Sequence, residues 1–390
     1  MKRILHISIL IAGIYACVEP YDFEVKDTEE VMVVDVSLTN EVKTQEVRLF
    51  QSYPLDGTEG TPLTGAVISV QEVEGQEYPF IETSDPGVYQ SVEQFGGSPG
   101  LSYVLKITTI DGQEFESLPE KMPEPVAIDS IYGRYIERPS SDDDRNLKGV
   151  QFMVDNHNDN EAFSSYRFEY KEDFSINVTY PSMYEYLEAE DSLIYRRPSI
   201  ATCYNSREST DFLTETTSGQ SKNRLSEFPI VYVEDNEPQL RFNYSLTVRQ
   251  LSISPGAYQY YKSLKENNES SGSFFDKQKG TVLGNISNVS DQAFPVLGYF
   301  EVAAVSTGFR YFPAGSFRSQ GFVPSRYSFC DYNEYADTVA VDSLIFYDGL
   351  GYSKNVFTYT DPSLTSVAVV PSSCSDCRNY GVLEKPDFWE

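Results

Sequence analysis

The 390 residues carry 30 Lys and Arg against 59 Asp and Glu, a net charge of −29, with 14 % aromatic residues and two histidines. A polyanion of this size is repelled by phosphate, which excludes nucleic acid as a partner and keeps the body of the protein off an anionic lipid surface. If His6 leaves with the leader described next, any His-based triad or His-ligated metal site would have to be built from His157 alone, which excludes the common hydrolytic enzymes.

Residues 1–16, MKRILHISILIAGIYA, read as an export leader. Lys2 and Arg3 form its cationic start, and the Ile4–Tyr15 run is apolar but too short to span a bilayer. Ile14 and Ala16, at minus three and minus one before Cys17, suit a lipoprotein signal peptidase, whereas an ordinary cleavage site wants small residues at both places. Cys17 is therefore the expected mature N-terminus and lipid attachment site, carrying a thioether-linked diacylglycerol and an acylated amine. About three acyl chains exceed the two hydrophobic signals that stable anchoring takes. Residues 17–29, acidic and without an apolar period, read as a tether.

From residue 30 the text alternates. VMVVDVSLT, QEVRLFQSY, GAVISVQEV, YPFIET, GVYQSV and SYVLKITT are separated by turn signals such as Glu74-Gly75, Asp85-Pro86-Gly87 and Asp111-Gly112. This spacing predicts a β-sandwich of immunoglobulin-like or transthyretin-like type over residues 30–118. Residues 119–125, with Pro119, Pro123 and Pro125, read as a linker, since Pro at this density does not enter a sheet interior. Residues 126–390 read as a larger β-rich domain containing one clear helix. That helix is expected to be capped by Ser254, with Pro255 in its first turn, and to end near Gly272. Ala257, Tyr260, Tyr261 and Leu264 share a face, read as core packing, with Lys262, Lys265 and Glu266 outside it.

Several motifs in order resemble one family. They are YSLTVRQLSISPGAYQYYKSLKE, then SGSFFD at 271–276, GNI at 284–286, GYF at 298–300, and a closing CSDCRNYGVLEKPDFW. The start, Cys17 followed by EPYDFE, a VVD strand, a TGA-V strand and Ile128-Asp129-Ser130-Ile131, is similar to the same family. The resemblance is to the Bacteroidetes lipoproteins gathered as domain of unknown function 4249. One departure is Tyr204, after Cys203, where the pattern leads one to expect Trp. The resemblance implies an outer-membrane lipoprotein working beside a TonB-dependent receptor barrel. The acidic residues after Cys17 resemble the signal that sends some such lipoproteins to the cell surface. It carries no catalytic residues across.

Cys203, Cys330, Cys374 and Cys377 remain once Cys17 is lipidated, and an exported chain with four thiols is expected to form two disulfides among three connectivities. Cys374 with Cys377 and Cys203 with Cys330 are the expected pairs. A four-Cys zinc site wants two close pairs and only one is present; a redox Cys-x-x-Cys wants a thioredoxin-like βαβ context. Asp155-Asn-His-Asn-Asp-Asn-Glu161 alternates oxygens as calcium loops do, but lacks Gly at the sixth place and has Tyr166 at the twelfth, so it reads as a solvated hairpin loop.

No catalytic, cofactor-binding or metal set is expected. The leading expectation is a non-enzymatic, lipid-anchored outer-membrane lipoprotein that assists a TonB-dependent transporter in nutrient uptake. The alternative is a surface glycan-binding lipoprotein that uses the aromatics between Tyr180 and Tyr195 as stacking platforms. A carboxylate-based hydrolase, needing an acid pair across a cleft, ranks last.

Overall fold

The computed structural model describes residues 31–52, 60–139, 146–159, 164–187, 192–270, 282–291, 294–324, 333–336, 357–359, 366–369 and 372–389. The alternation becomes strands at Met32–Thr39, Glu46–Gln51, Val67–Glu72, Glu77–Glu82, Val88–Ser91 and Ser102–Thr108. Among the described residues the protein is mainly β, with one long helix. Along the first strand Met32, Val34, Val36 and Leu38 are buried while Asp35 is exposed. The buried set meets Val47, Leu49, Ile68, Val70, Leu105 and Ile107 in one core. Each such side chain, fully buried, is worth roughly 1.5–3 kcal/mol.

Residues 30–118 do not close this core alone. Ile286–Asn288 pairs antiparallel with Glu114–Ser117, and Val296–Leu297 runs parallel to the start of the first strand. Glu301–Phe312 then continues parallel to Ser37–Thr39. Ile286, Val296, Phe300, Val302 and Ala304 consequently lie in the N-terminal core. This passage requires two glycines. A Cβ at Gly284 would stand 1.6 Å from the Gly298 carbonyl oxygen, and one at Gly298, where φ is +115°, would stand 1.9 Å from that of Val34. The expected linker is packed as well: Glu120–Lys121 pairs with the Ser102–Thr108 strand, and Met122 is fully buried in the same core. Glu120–Met122 therefore pack onto the first core, which corrects the expectation of a spacer for that stretch, while Glu124 and Pro125 stay exposed.

The remaining described chain builds a second pair of layers. Ser165–Asn177, Tyr244–Ile253 and Glu301–Phe312 are neighbouring strands of the long sheet, with Thr202–Glu208 outside them. Ile128–Pro139, Asn146–His157 and Arg224–Glu234 form a separate three-stranded sheet. A core that includes Phe152, Val154, Tyr166, Phe168, Tyr244 and Leu246 is built from residues of both sheets. Because side chains alternate, the even-numbered residues of Tyr244–Ile253 enter this core and the odd-numbered ones form the sheet's other face. Described parts of Tyr184–Leu187, Ser192–Tyr195, Asn333–Ala336, Phe357–Tyr359 and Ser366–Val369 make a third sheet.

Both expected pairings, Cys374 with Cys377 and Cys203 with Cys330, are overturned. Cys203 is bonded to Cys377, with Cα atoms 5.3 Å apart, and both are buried beside Val178 and Ile200. Cys374 is disulfide-bonded too, but not to Cys377. The turn after Ser372–Ser375 sends the Cys377 N–H to the Ile200 carbonyl at 3.1 Å, while the Cys374 carbonyl accepts from the Tyr180 N–H at 3.0 Å. The two neighbours in sequence thus serve different contacts. Cys17 and Cys330 lie outside the described residues.

Candidate functional site

The helix covers one end of the sheet's odd-numbered face. It spans Pro255–Ser270, and the Ser254 hydroxyl accepts from the Ala257 N–H at 3.0 Å, the cap read from sequence. Ala257 packs with Leu251, Ile253, Tyr299 and Ala303, and Tyr260 and Tyr261 lean on them. Lys262, Lys265 and Glu266 are exposed. At its N-terminal end Glu120, buried, accepts from the Tyr299 hydroxyl and, at 3.3 Å, from Asn285 Nδ2. Burial holds this carboxyl above its ordinary range despite those donors.

Next to the helix lies a buried ion pair. Arg167 Nε and Nη2 donate to the Glu301 carboxylate at 2.9 and 2.7 Å, and Ser37 Oγ donates to it at 2.8 Å. Glu301 is fully buried and Arg167 nearly so. Burial alone would raise Glu301, but the Arg167 charge and its hydrogen bonds hold the carboxyl below its usual range. The Arg167 guanidinium also stands 5.1 Å from the Tyr261 ring centroid.

From this pair outward the face opens into a groove of about 470 Å³, lined by Arg167, Glu169, Lys171, Phe212, Thr247 and Arg249 among others. Its charges are interlocked. Arg167 Nη1 donates to Glu169 at 2.7 Å; Arg249 donates to Glu169 and, at 2.7 Å, to Glu41 from the first body. Each of Arg249, Glu169 and Glu41 keeps about a third of its side chain exposed, at 32 %, 33 % and 37 %. Burial acts to raise Glu41, yet the Lys43 hydrogen bond and the Arg249 charge bring it below the ordinary carboxylate range.

Register carries the face on into aromatics. Thr247 lies opposite Phe309 and Ser245 opposite Tyr311. Phe309, Tyr311 and Phe388 are 49 %, 38 % and 47 % exposed, with Phe309 and Phe388 ring centroids 5.4 Å apart. Trp389 is buried beneath them, its indole N–H donating to Ser245 Oγ at 3.4 Å and its ring 5.1 Å from Tyr204 and 6.1 Å from Tyr311. Tyr204, where the family resemblance leads one to expect Trp, is thus the wall against which the single Trp packs.

Sequence reading did not single out this face. Its linear traces are period-two spacings, Phe309 with Tyr311 and Arg167 with Glu169 and Lys171; Arg167, Arg249 and Glu301 meet through register between strands far apart in the chain. Of the aromatics expected as platforms, Tyr195 is 52 % exposed, with the Arg197 guanidinium 5.8 Å from its ring centroid. Asp155 lies within a strand rather than a loop and accepts from Ser130, Tyr132 and the Glu227 N–H, while buried Asn156 donates to Gln250 at 2.7 Å. His157, on the three-stranded sheet, is half exposed and contacts Asp129 at 2.7 Å.

A family model described as Domain of unknown function (DUF4249) matches residues 18–308. The chain belongs to the DUF4249 family. No match is found among curated proteins. In this DUF4249 member the match starts directly after Cys17 and takes in the helix, the Arg167–Glu301 pair and the groove. It ends at Gly308, so the aromatic end of the face and the closing 374–389 segment lie beyond it.

Proposed function

We propose that this DUF4249 member is a non-enzymatic lipoprotein, anchored in the outer membrane by acyl chains on Cys17, that captures a ligand at the cell surface as an accessory of a TonB-dependent transporter. The observation that carries the reading is the open face: interlocked charges and three exposed aromatic rings on one side of a sheet whose other side is a packed core. Rigid strands hold such groups in fixed positions, as recognition needs. The leader supports export and lipidation, since its Ile14-Tyr15-Ala16-Cys17 end suits lipoprotein processing. The groove's charges support binding over hydrolysis. Glu169 and Glu41 are both tied to Arg249, so these carboxylates are engaged in ion pairs rather than facing one another across a cleft as an acid pair.

The test is a mild-detergent pull-down of the affinity-tagged chain from its native membrane, with mass spectrometry and a Cys17→Ala control. Recovery of a TonB-dependent barrel in stoichiometric amount, lost in the control, is expected. Recovery of the lipoprotein alone would refute the transporter partnership.

A further inference from the structure

We infer that the ligand taken by the Arg249–Phe309 face is a neutral oligosaccharide; this rests on the proposed reading of that face as the recognition surface. Three features converge. The first is the aromatic end. Phe309, Tyr311 and Phe388 leave 38–49 % of their surface in water; Phe388 meets Phe309 edge to face at 70°, and Tyr311 and Phe388 each meet Trp389 edge to face, at 65° and 83°, so the cluster offers ring faces and edges in more than one direction. Flat apolar rings next to hydrogen-bonding groups fit a ligand that is itself apolar on its faces and polar at its edges, as a pyranose ring is.

The second feature is the state of the charges. Arg249 is matched to both Glu169 and Glu41, and Arg167 to Glu301 and Glu169. A carboxylate ligand would have to displace one of these glutamates, and a cationic one would have to displace an arginine. A hydroxyl needs to do neither, because it donates to a carboxylate and accepts from a guanidinium at once. The chain's net charge of −29 further opposes uronates, phosphates and acidic peptides. The third feature is length. From Arg249 through Thr247 to Ser245, which Trp389 covers, the strand runs roughly 14 Å at about 3.4 Å per residue, and the exposed Phe309, Tyr311 and Phe388 continue the face at that end, room for more than one sugar ring.

Trp389 is the chain's single tryptophan and sits 6.1 Å from the Tyr311 ring, so it reports on the face directly. The experiment titrates the full chain, purified in detergent, with a panel of neutral gluco-, manno- and galacto-oligosaccharides. Uronic-acid oligosaccharides and mixed peptides complete the panel. Binding is followed by Trp389 fluorescence and by calorimetry. Expected is binding of a neutral oligosaccharide with little dependence on salt, weakened about tenfold or more by Phe309→Ala and by Phe388→Ala, as loss of an aromatic contact implies. Both residues are exposed, so the urea midpoints of the variants should match the parent. Preferred binding of an anionic oligosaccharide or a peptide would overturn the inference, as would neutral-sugar binding untouched by both variants or no binding across the panel. A transporter that co-purifies with a chain that binds no saccharide would overturn this inference and leave the transporter partnership standing. Saccharide binding without a transporter would do the reverse.

Discussion

Replacing Arg167 by Met would leave the Glu301 carboxylate, fully buried, with the hydroxyls of Ser37, at 2.8 Å, and Tyr261 as donors but without its cation. Breaking a buried pair on one side costs about 3–5 kcal/mol, and this site belongs at the upper end because Glu301 has no exposure through which water could reach it. Glu301→Gln should cost less, about 3 kcal/mol, because Arg167 keeps Glu169 at 2.7 Å and 13 % of its side-chain exposure. Removing both charges together, as Arg167→Met with Glu301→Leu, should cost less than either single change. The assay is urea unfolding followed by Trp389 fluorescence, which gives midpoint and slope for each variant. The pH dependence adds a sign. With Arg167 present, Glu301 is held below its ordinary value of 4.5, so its stabilisation is present above that pH and is lost as the pH falls through the depressed folded value. Without Arg167, burial dominates and the carboxyl moves up, so the variant's deficit should shrink on acidification. A cost under about 1 kcal/mol for Arg167→Met would refute the reasoning.

Cys203→Ala with Cys377→Ala opens a crosslink between residues 174 apart, for which chain entropy gives about 5 kcal/mol; a loss of roughly 3–5 kcal/mol in urea is expected, and an unchanged midpoint would contradict it. Ser254→Ala removes the helix cap at the Ala257 N–H and should cost about 1 kcal/mol, read in the same assay. Glu120 is held high by burial, so its ionised form costs stability as the pH rises above 4.5; Glu120→Gln should raise the urea midpoint at about pH 7 and change little well below 4.5, and a drop at neutral pH would contradict that sign. Gly298→Ala forces a Cβ to within 1.9 Å of the Val34 carbonyl and should cost more than about 4 kcal/mol or abolish soluble folding; a near-native thermal midpoint would contradict the close approach.

Local rules made much of this fold legible. Period-two burial in Met32–Thr39 and the Ser254–Pro255 start of the helix depend on residues a few positions apart, where propensity and capping act directly. Pairing across long separations was not legible. Nothing local announces that Glu301–Phe312 lies parallel to the first strand, so the Ser37–Glu301–Arg167 contact escaped a reading by segments, as did the packing of Glu120–Met122. The Cys-x-x-Cys spacing misled for a related reason: closeness in sequence favours pairing, but Cys377 is carried into a small core with Ile200 and Cys203. The candidate face needed register among four strands, and sequence supplied only period-two fragments of it, such as Phe309 with Tyr311 and Arg167 with Glu169 and Lys171.

Intact-mass and fragment analysis of the N-terminal peptide from the native membrane tests the anchored-lipoprotein account most directly. A mature chain that begins at Cys17, with a diacylglycerol thioether and an acylated amine, is the predicted result. An unmodified Cys17, or a chain that begins elsewhere, would contradict it.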